Sequence, residues 1–185
     1  MRSQSLRSPG GKKPLDDKYA GDPKAAQNAA VALLARRDFS IAELRRKLKE
    51  RGYLPSAIEP ALADLESGRV IDDKRYGENV IAARARRGQG PARIRSELRR
   101  AGVDPEVVQT TMDRAREDGP DFLALARATR ARKFGREIPK DRKERERQAR
   151  FLQYRGFSND HIRAVLEGDP ELDSGSDASG EPDHS

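Results

Sequence analysis

Apolar positions along the chain recur at three- and four-residue spacing, in segments of ten to fourteen residues cut by glycine, proline and acidic or hydroxyl side chains. That is the period of amphipathic helices; no alternating segment longer than a few residues suggests a strand. The segments also repeat one another. Around Gly52, Gly102 and Gly156 an apolar residue stands four positions before (Leu48, Leu98, Leu152) and one after (Tyr53, Val103, Phe157). Others stand six after (Ile58, Val108, Ile162) and ten after (Leu62, Met112, Leu166). The glycines are separated by 50 and 54 residues. Self-similarity at such offsets marks tandem copies of one supersecondary unit, each needing its neighbours to complete a core.

Local punctuation makes each copy a three-helix unit. Ser40 with Glu43 has capping-box spacing, so a helix over 41–51 follows, and Gly52 suits the left-handed position that closes it. Pro55 opens the next helix, which runs to about Ser67. In the second copy Gly90-Pro91 opens a helix and Gly102 closes it, and Asp104-Pro105-Glu106 supplies a cap, a first-turn proline and a dipole-favourable acid. A further helix precedes each pair, at about 25–37, 73–87 and 121–134, giving nine. The expected fold class is all-α, with repeats at 25–72, 73–118 and 119–168 forming an elongated curved array. Residues 1–23 and 169–185 read as disordered tails, the first basic and the second acidic.

Composition tightens this picture. Leu, Ile, Val and Phe supply only 34 of 185 residues, but 31 of the 144 between Ala25 and Gly168, which with abundant alanine suits several small helical cores better than one thick one. The chain has no cysteine and no apolar run of membrane-spanning length, so a cytoplasmic, disulfide-free protein is expected. The net charge of +7 is unevenly placed: from Glu167 onward there are seven acids and no Lys or Arg, leaving residues 1–166 with 38 basic and 24 acidic side chains, or +14. A body so charged seeks a polyanion or an acidic protein surface.

Candidate chemistry is sparse. The two histidines, His161 and His184, make no convincing metal site, and PGGKK at 9–13 lacks the spacing and following hydroxyl of a phosphate loop. Asp72-Asp73 could suggest acid-base work, but it stands where a helix begins, where carboxylates cap free amides. Tyr53, Tyr76, Phe122, Phe151, Tyr154 and Phe157 are all able to stack on bases, although those at the repeat positions are expected in the core. No convergent nucleophile, base or metal set appears, so neither catalysis nor a cofactor is expected.

The candidate binding residues form two basic runs. Arg84, Arg86, Arg87, Arg93, Arg95, Arg99 and Arg100 are opposed over 84–100 only by Glu97. With Ile94 and Leu98 turned inward, Arg95, Arg99 and Arg100 fall on the outer side of their helix and are expected to be exposed. Arg127, Arg130, Arg132, Lys133 and Arg136 form the second run, with no acid before Glu137. The corresponding face of the first unit mixes Arg45, Arg46 and Lys49 with Glu43 and Glu50.

Residues 64–103, DLESGRVIDDKRYGENVIAARARRGQGPARIRSELRRAGV, resemble the central signature of the RecX regulators of bacterial RecA recombinase, in the Asp-Asp-x-Arg-Tyr entry and the Gly-Pro-x-x-Ile helix start. ELRRKL at 43–48 and RGFSNDHIRAVL at 155–166 resemble that family's first and last units, so the similarity covers about residues 25–168; Gly77 departs from the family's usual alanine. The resemblance implies a non-enzymatic helical repeat protein that lies in the groove of the RecA filament on single-stranded DNA. It would restrain ATP hydrolysis, strand exchange and promotion of repressor cleavage. A monomer with weak, salt-dependent affinity for single-stranded DNA and no membrane partner is expected. The alternative is a sequence-specific duplex-binding regulator, since three-helix units can act as helix-turn-helix modules, but the basic helix carries few amides for reading bases.

Overall fold

Caps and glycines set the helix limits in a computed structural model that describes residues 16–167. The helices are α1 (Asp17–Ala20), α2 (Pro23–Leu34), α3 (Ile41–Glu50), α4 (Pro55–Ser67), α5 (Asp73–Arg86), α6 (Pro91–Arg100), α7 (Pro105–Glu117), α8 (Phe122–Phe134), α9 (Arg142–Tyr154) and α10 (Asn159–Glu167). No strand occurs among the described residues. Nine of these are the expected helices, within a few residues at each end. The short α1 is additional, and it falls inside the stretch read as a disordered tail. Asp16 caps it, and the Leu54 amide donates to the Ala20 carbonyl at 2.8 Å, a long-range bond with no sequence signature. The segments 1–15 and 168–185, including PGGKK, His184 and nearly all of the acidic run, lie outside the described residues.

The three-fold frame is reproduced at atomic detail. All twelve apolar frame positions are buried, with Leu48, Leu98 and Leu152 wholly inaccessible. Gly52, Gly102 and Gly156 have φ of 97°, 78° and 88°, the left-handed region where only glycine is unstrained. Each allows the next residue's amide to reach back five positions: Tyr53 to the Leu48 carbonyl (3.2 Å), Val103 to Leu98 (3.2 Å) and Phe157 to Leu152 (3.1 Å). These are Schellman closures, which satisfy otherwise orphaned helix-end carbonyls.

The described residues divide into two compact units, one ending at Tyr76 and one beginning at Gly77. In the first, Ala26 and Ala30 of α2 share a core with Ala57 and Ala61 of α4, all essentially inaccessible. Small side chains let helices approach closely, which is how so few large aliphatic residues suffice. Asp72 caps α5 through the Lys74 amide (2.8 Å), as expected of the pair. Asp73 does something the sequence does not announce: its carboxylate accepts the Ile41 amide of α3 at 2.9 Å, satisfying a first-turn donor 32 residues away. Burial pushes its pKa up from the ordinary value, partly opposed by that bond.

In the second unit, repeats two and three share one body because their glycines touch. The Gly90 amide donates to the Arg155 carbonyl (2.8 Å) and the Ala92 amide to the Gly156 carbonyl (3.0 Å). The carbonyl end of α9 thus caps the amide end of α6, and the helix dipoles are complementary there. The approach leaves no room for side chains: a Cβ on Gly90 would lie 2.4 Å from the Gly156 carbonyl, and one on Gly156 would lie 2.5 Å from Arg93 Cβ. Gly77 also has a packing reason, since an added Cβ would stand 3.1 Å from Thr111 Cγ2 of α7.

Candidate functional site

The second unit carries both basic runs, and the fold sorts their members into structural and available groups. Arg130 is a correction to the expected binding set. It is only 3% exposed, and its guanidinium donates to the carbonyls of Glu137 (2.8 Å), Arg136 (2.7 Å) and Gly135 (3.3 Å) and to Gln148 Oε1 (3.1 Å). Burial draws its pKa below the usual arginine value, but these acceptors hold the guanidinium in place. Gln148 in turn donates to Glu144, whose carboxyl is held below its usual range by that amide and by Arg147. The network fastens the 135–141 loop to α9. Periodicity placed Arg130 beside its exposed neighbours and could not reveal four acceptors arriving from a loop.

Arg84 is also engaged, pairing with Glu97, the one acid within the first run, with both side chains about 29% and 28% exposed. Arg95 departs from the expectation of exposure: it is half-buried, and its Nε is buried with no hydrogen-bond partner. Arg99 and Arg100 are exposed as expected. Arg95, Arg99 and Arg100, with Ala92 and Ser96, line an open concavity of about 410 Å³ on α6. Arg100 leans back onto the Ser96 carbonyl (3.3 Å), which keeps its charge over the same hollow. Three guanidinium groups around one open hollow suit it to oxyanions, which arginine binds through charge-assisted hydrogen bonds.

The second run joins the first at Gly88. Gly88 has φ of 69° and packs on α8, so that a Cβ there would lie 2.6 Å from Thr129 Oγ1 and 3.0 Å from Arg132 Nη2. Exposed Arg132 is thereby set against the turn that carries exposed Arg86 and Arg87. Arg155 then ties this turn to α9 by donating to the Arg87 carbonyl at 3.1 Å. Lys133 is exposed and lies 4.2 Å from the centre of the Phe151 ring, which packs edge-on against Phe134. Arg136 is exposed, while Arg93 and Arg127 are half-buried; Arg93 sits 5.5 Å over the Tyr154 ring.

The aromatics separate in the same way. Tyr53, Tyr76, Phe122 and Phe157 are core residues, Phe151 is half-buried, and Tyr154 is 76% exposed. Arg155, bonded to the Arg87 carbonyl, stands beside the first run but fell outside the sequence-based runs, because it closes α9, whose overall composition mixes signs. Among the described residues, no cluster of three or more His, Cys, Asp or Glu is placed to hold a metal, and no helix is long and apolar enough to cross a membrane.

Fold and site together define a helical repeat protein with an arginine-rich face on its second unit. Family models for the first, second and third three-helix domains of RecX match residues 26–65, 72–112 and 120–166. The chain is 43% identical over 150 residues to the regulatory protein RecX of Halorhodospira halophila, spanning 81% of this chain and 91% of that one. It is 41% identical over 146 residues to the regulatory protein RecX of Pseudomonas syringae pv. tomato, spanning 79% and 92%. The crystal structure of RecX from Lactobacillus salivarius superposes with a TM-score of 0.68 over 82% of this chain and 97% of that one, a likeness of fold at 20% identity. The chain belongs to the RecX family.

Proposed function

We propose that this protein binds the RecA recombinase filament on single-stranded DNA and restrains its ATP hydrolysis, strand exchange and promotion of repressor cleavage, without chemistry of its own. The observation that carries the reading is the α6 hollow, in which Arg95, Arg99 and Arg100 surround Ser96. Such a cradle suits phosphate or carboxylate oxygens, both of which a recombinase–DNA filament presents. Contact through arginine to backbone oxygens carries little sequence information, which agrees with a target defined by its assembly rather than by its base order. The test is the ATPase rate of the recombinase on single-stranded DNA with increasing amounts of this protein. Progressive inhibition supports the reading; an unchanged rate at saturation contradicts it.

A further inference from the structure

Tyr154 occupies a position at which the repeat frame is otherwise polar. Two residues before the closing glycine stand Glu50 in the first repeat and Arg100 in the second, both exposed, and Tyr154 in the third is exposed too. Folding therefore does not ask for an aromatic there, and the ring fills no core. Its neighbours are cationic. The Arg93 guanidinium lies 5.5 Å from the ring centre, and Arg93 Nη1 donates to the Tyr154 carbonyl at 3.4 Å, fixing the ring beside the start of α6. Arg155, the next residue, reaches the Arg87 carbonyl, and from Arg147 to Ser158 the sequence holds three arginines and no acid.

We propose that Tyr154 is a stacking platform for an unpaired nucleobase of a single strand, with Arg93 and Arg155 neutralising the phosphates on either side of that base. A free aromatic face takes any base, because every base has a π-face, and adjacent arginines track the backbone. A duplex keeps its bases stacked on one another, so the platform distinguishes single from double strands without reading sequence. A protein hot spot would instead surround such a ring with apolar neighbours that exclude water. In the second unit the only other large apolar side chain exposed among the described residues is Ile138, at 38%. The inference rests on the reading above in taking single-stranded DNA as the shared ligand, but it places a base contact on α9, on a residue that does not line the α6 hollow.

The experiment compares the full-length wild type, Tyr154→Ala and Tyr154→Phe in binding a labelled oligothymidylate and a strand of equal length whose residues are abasic. The wild type and Tyr154→Phe are expected to prefer the base-bearing strand. Tyr154→Ala should lose about five-fold or more in affinity for it and nothing for the abasic strand. A 2-aminopurine strand should be quenched by the wild type and by Tyr154→Phe, but much less by Tyr154→Ala. Equal losses on both strands, no loss, or no wild-type preference would overturn the platform. Recombinase inhibition, read separately, distinguishes the two proposals: a wild type that does not inhibit but retains its base preference defeats the filament reading alone. Weaker inhibition by Tyr154→Ala with unaltered DNA binding puts the ring against protein and overturns the platform alone.

Discussion

Replacing Gly156 by alanine tests whether repeats two and three are joined by backbone contact. Gly156 and Gly102 have similar φ, 88° and 78°, and close their helices by the same Schellman bond, so an alanine at either incurs a left-handed penalty of about 1–2 kcal/mol. Their surroundings differ completely. Gly102 is exposed, whereas Gly156 is buried and a Cβ there would lie 2.5 Å from Arg93 Cβ and 2.6 Å from the Arg93 amide nitrogen. Relief requires α6 to move from α9, which weakens the bonds from Gly90 to Arg155 and from Ala92 to Gly156, each contributing about 1 kcal/mol net. Gly156→Ala should therefore lose about 2 kcal/mol more than Gly102→Ala. In urea unfolding followed by far-ultraviolet circular dichroism, that is roughly 1 M between midpoints at the slopes usual for small domains. Equal midpoints for the two variants would refute the junction.

Arg130→Met and Arg132→Met separate the structural from the available members of one basic run: the first should lose about 2–3 kcal/mol by leaving carbonyls of the 135–137 loop unpartnered, and the second no more than about 0.5 kcal/mol, both read by thermal or urea unfolding. Asp73→Asn addresses the buried cap, whose raised pKa means that the folded state holds the proton more tightly than the unfolded state. The wild type should therefore lose stability relative to the variant as pH rises from the ordinary carboxyl value of 3.8 through the raised folded one, so wild-type stability minus variant stability falls across that window; a difference that rises with pH contradicts the assignment.

The helix frame was legible because it depends on local chemistry: Ser40, Asp104 and the three closing glycines act on amides and carbonyls within one turn. The partition of the arginines into buried, engaged residues and exposed ones was not legible. Arg130 and Arg132 look alike in sequence, and only the return of the 135–137 carbonyls beneath α8 buries the first. The same holds for Asp73, whose acceptor role depends on a helix 32 residues away, and for α1, held by a bond from Leu54. Tyr154 is an intermediate case. Its exposure follows from comparison with Glu50 and Arg100 in the repeat frame, but its arginine neighbour comes from a contact between α6 and α9, 61 residues distant in sequence.

The proposed restraint of the recombinase by the cationic face is tested most directly by reversing its exposed charges and measuring ATPase inhibition on single-stranded DNA. Arg99→Glu, Arg100→Glu and Arg132→Glu together leave half-buried Arg95 and buried Arg130 in place, so folding should be retained. Loss of even one desolvated charge contact at an interface typically costs about 2–5 kcal/mol, and reversal adds repulsion. At least tenfold more of the variant, roughly, should then be needed for half-inhibition. The matching reversal of exposed Arg45, Arg46 and Lys49, on the mixed-sign face of α3, should have a smaller effect. A folded second-unit variant that inhibits at wild-type concentrations would contradict the account.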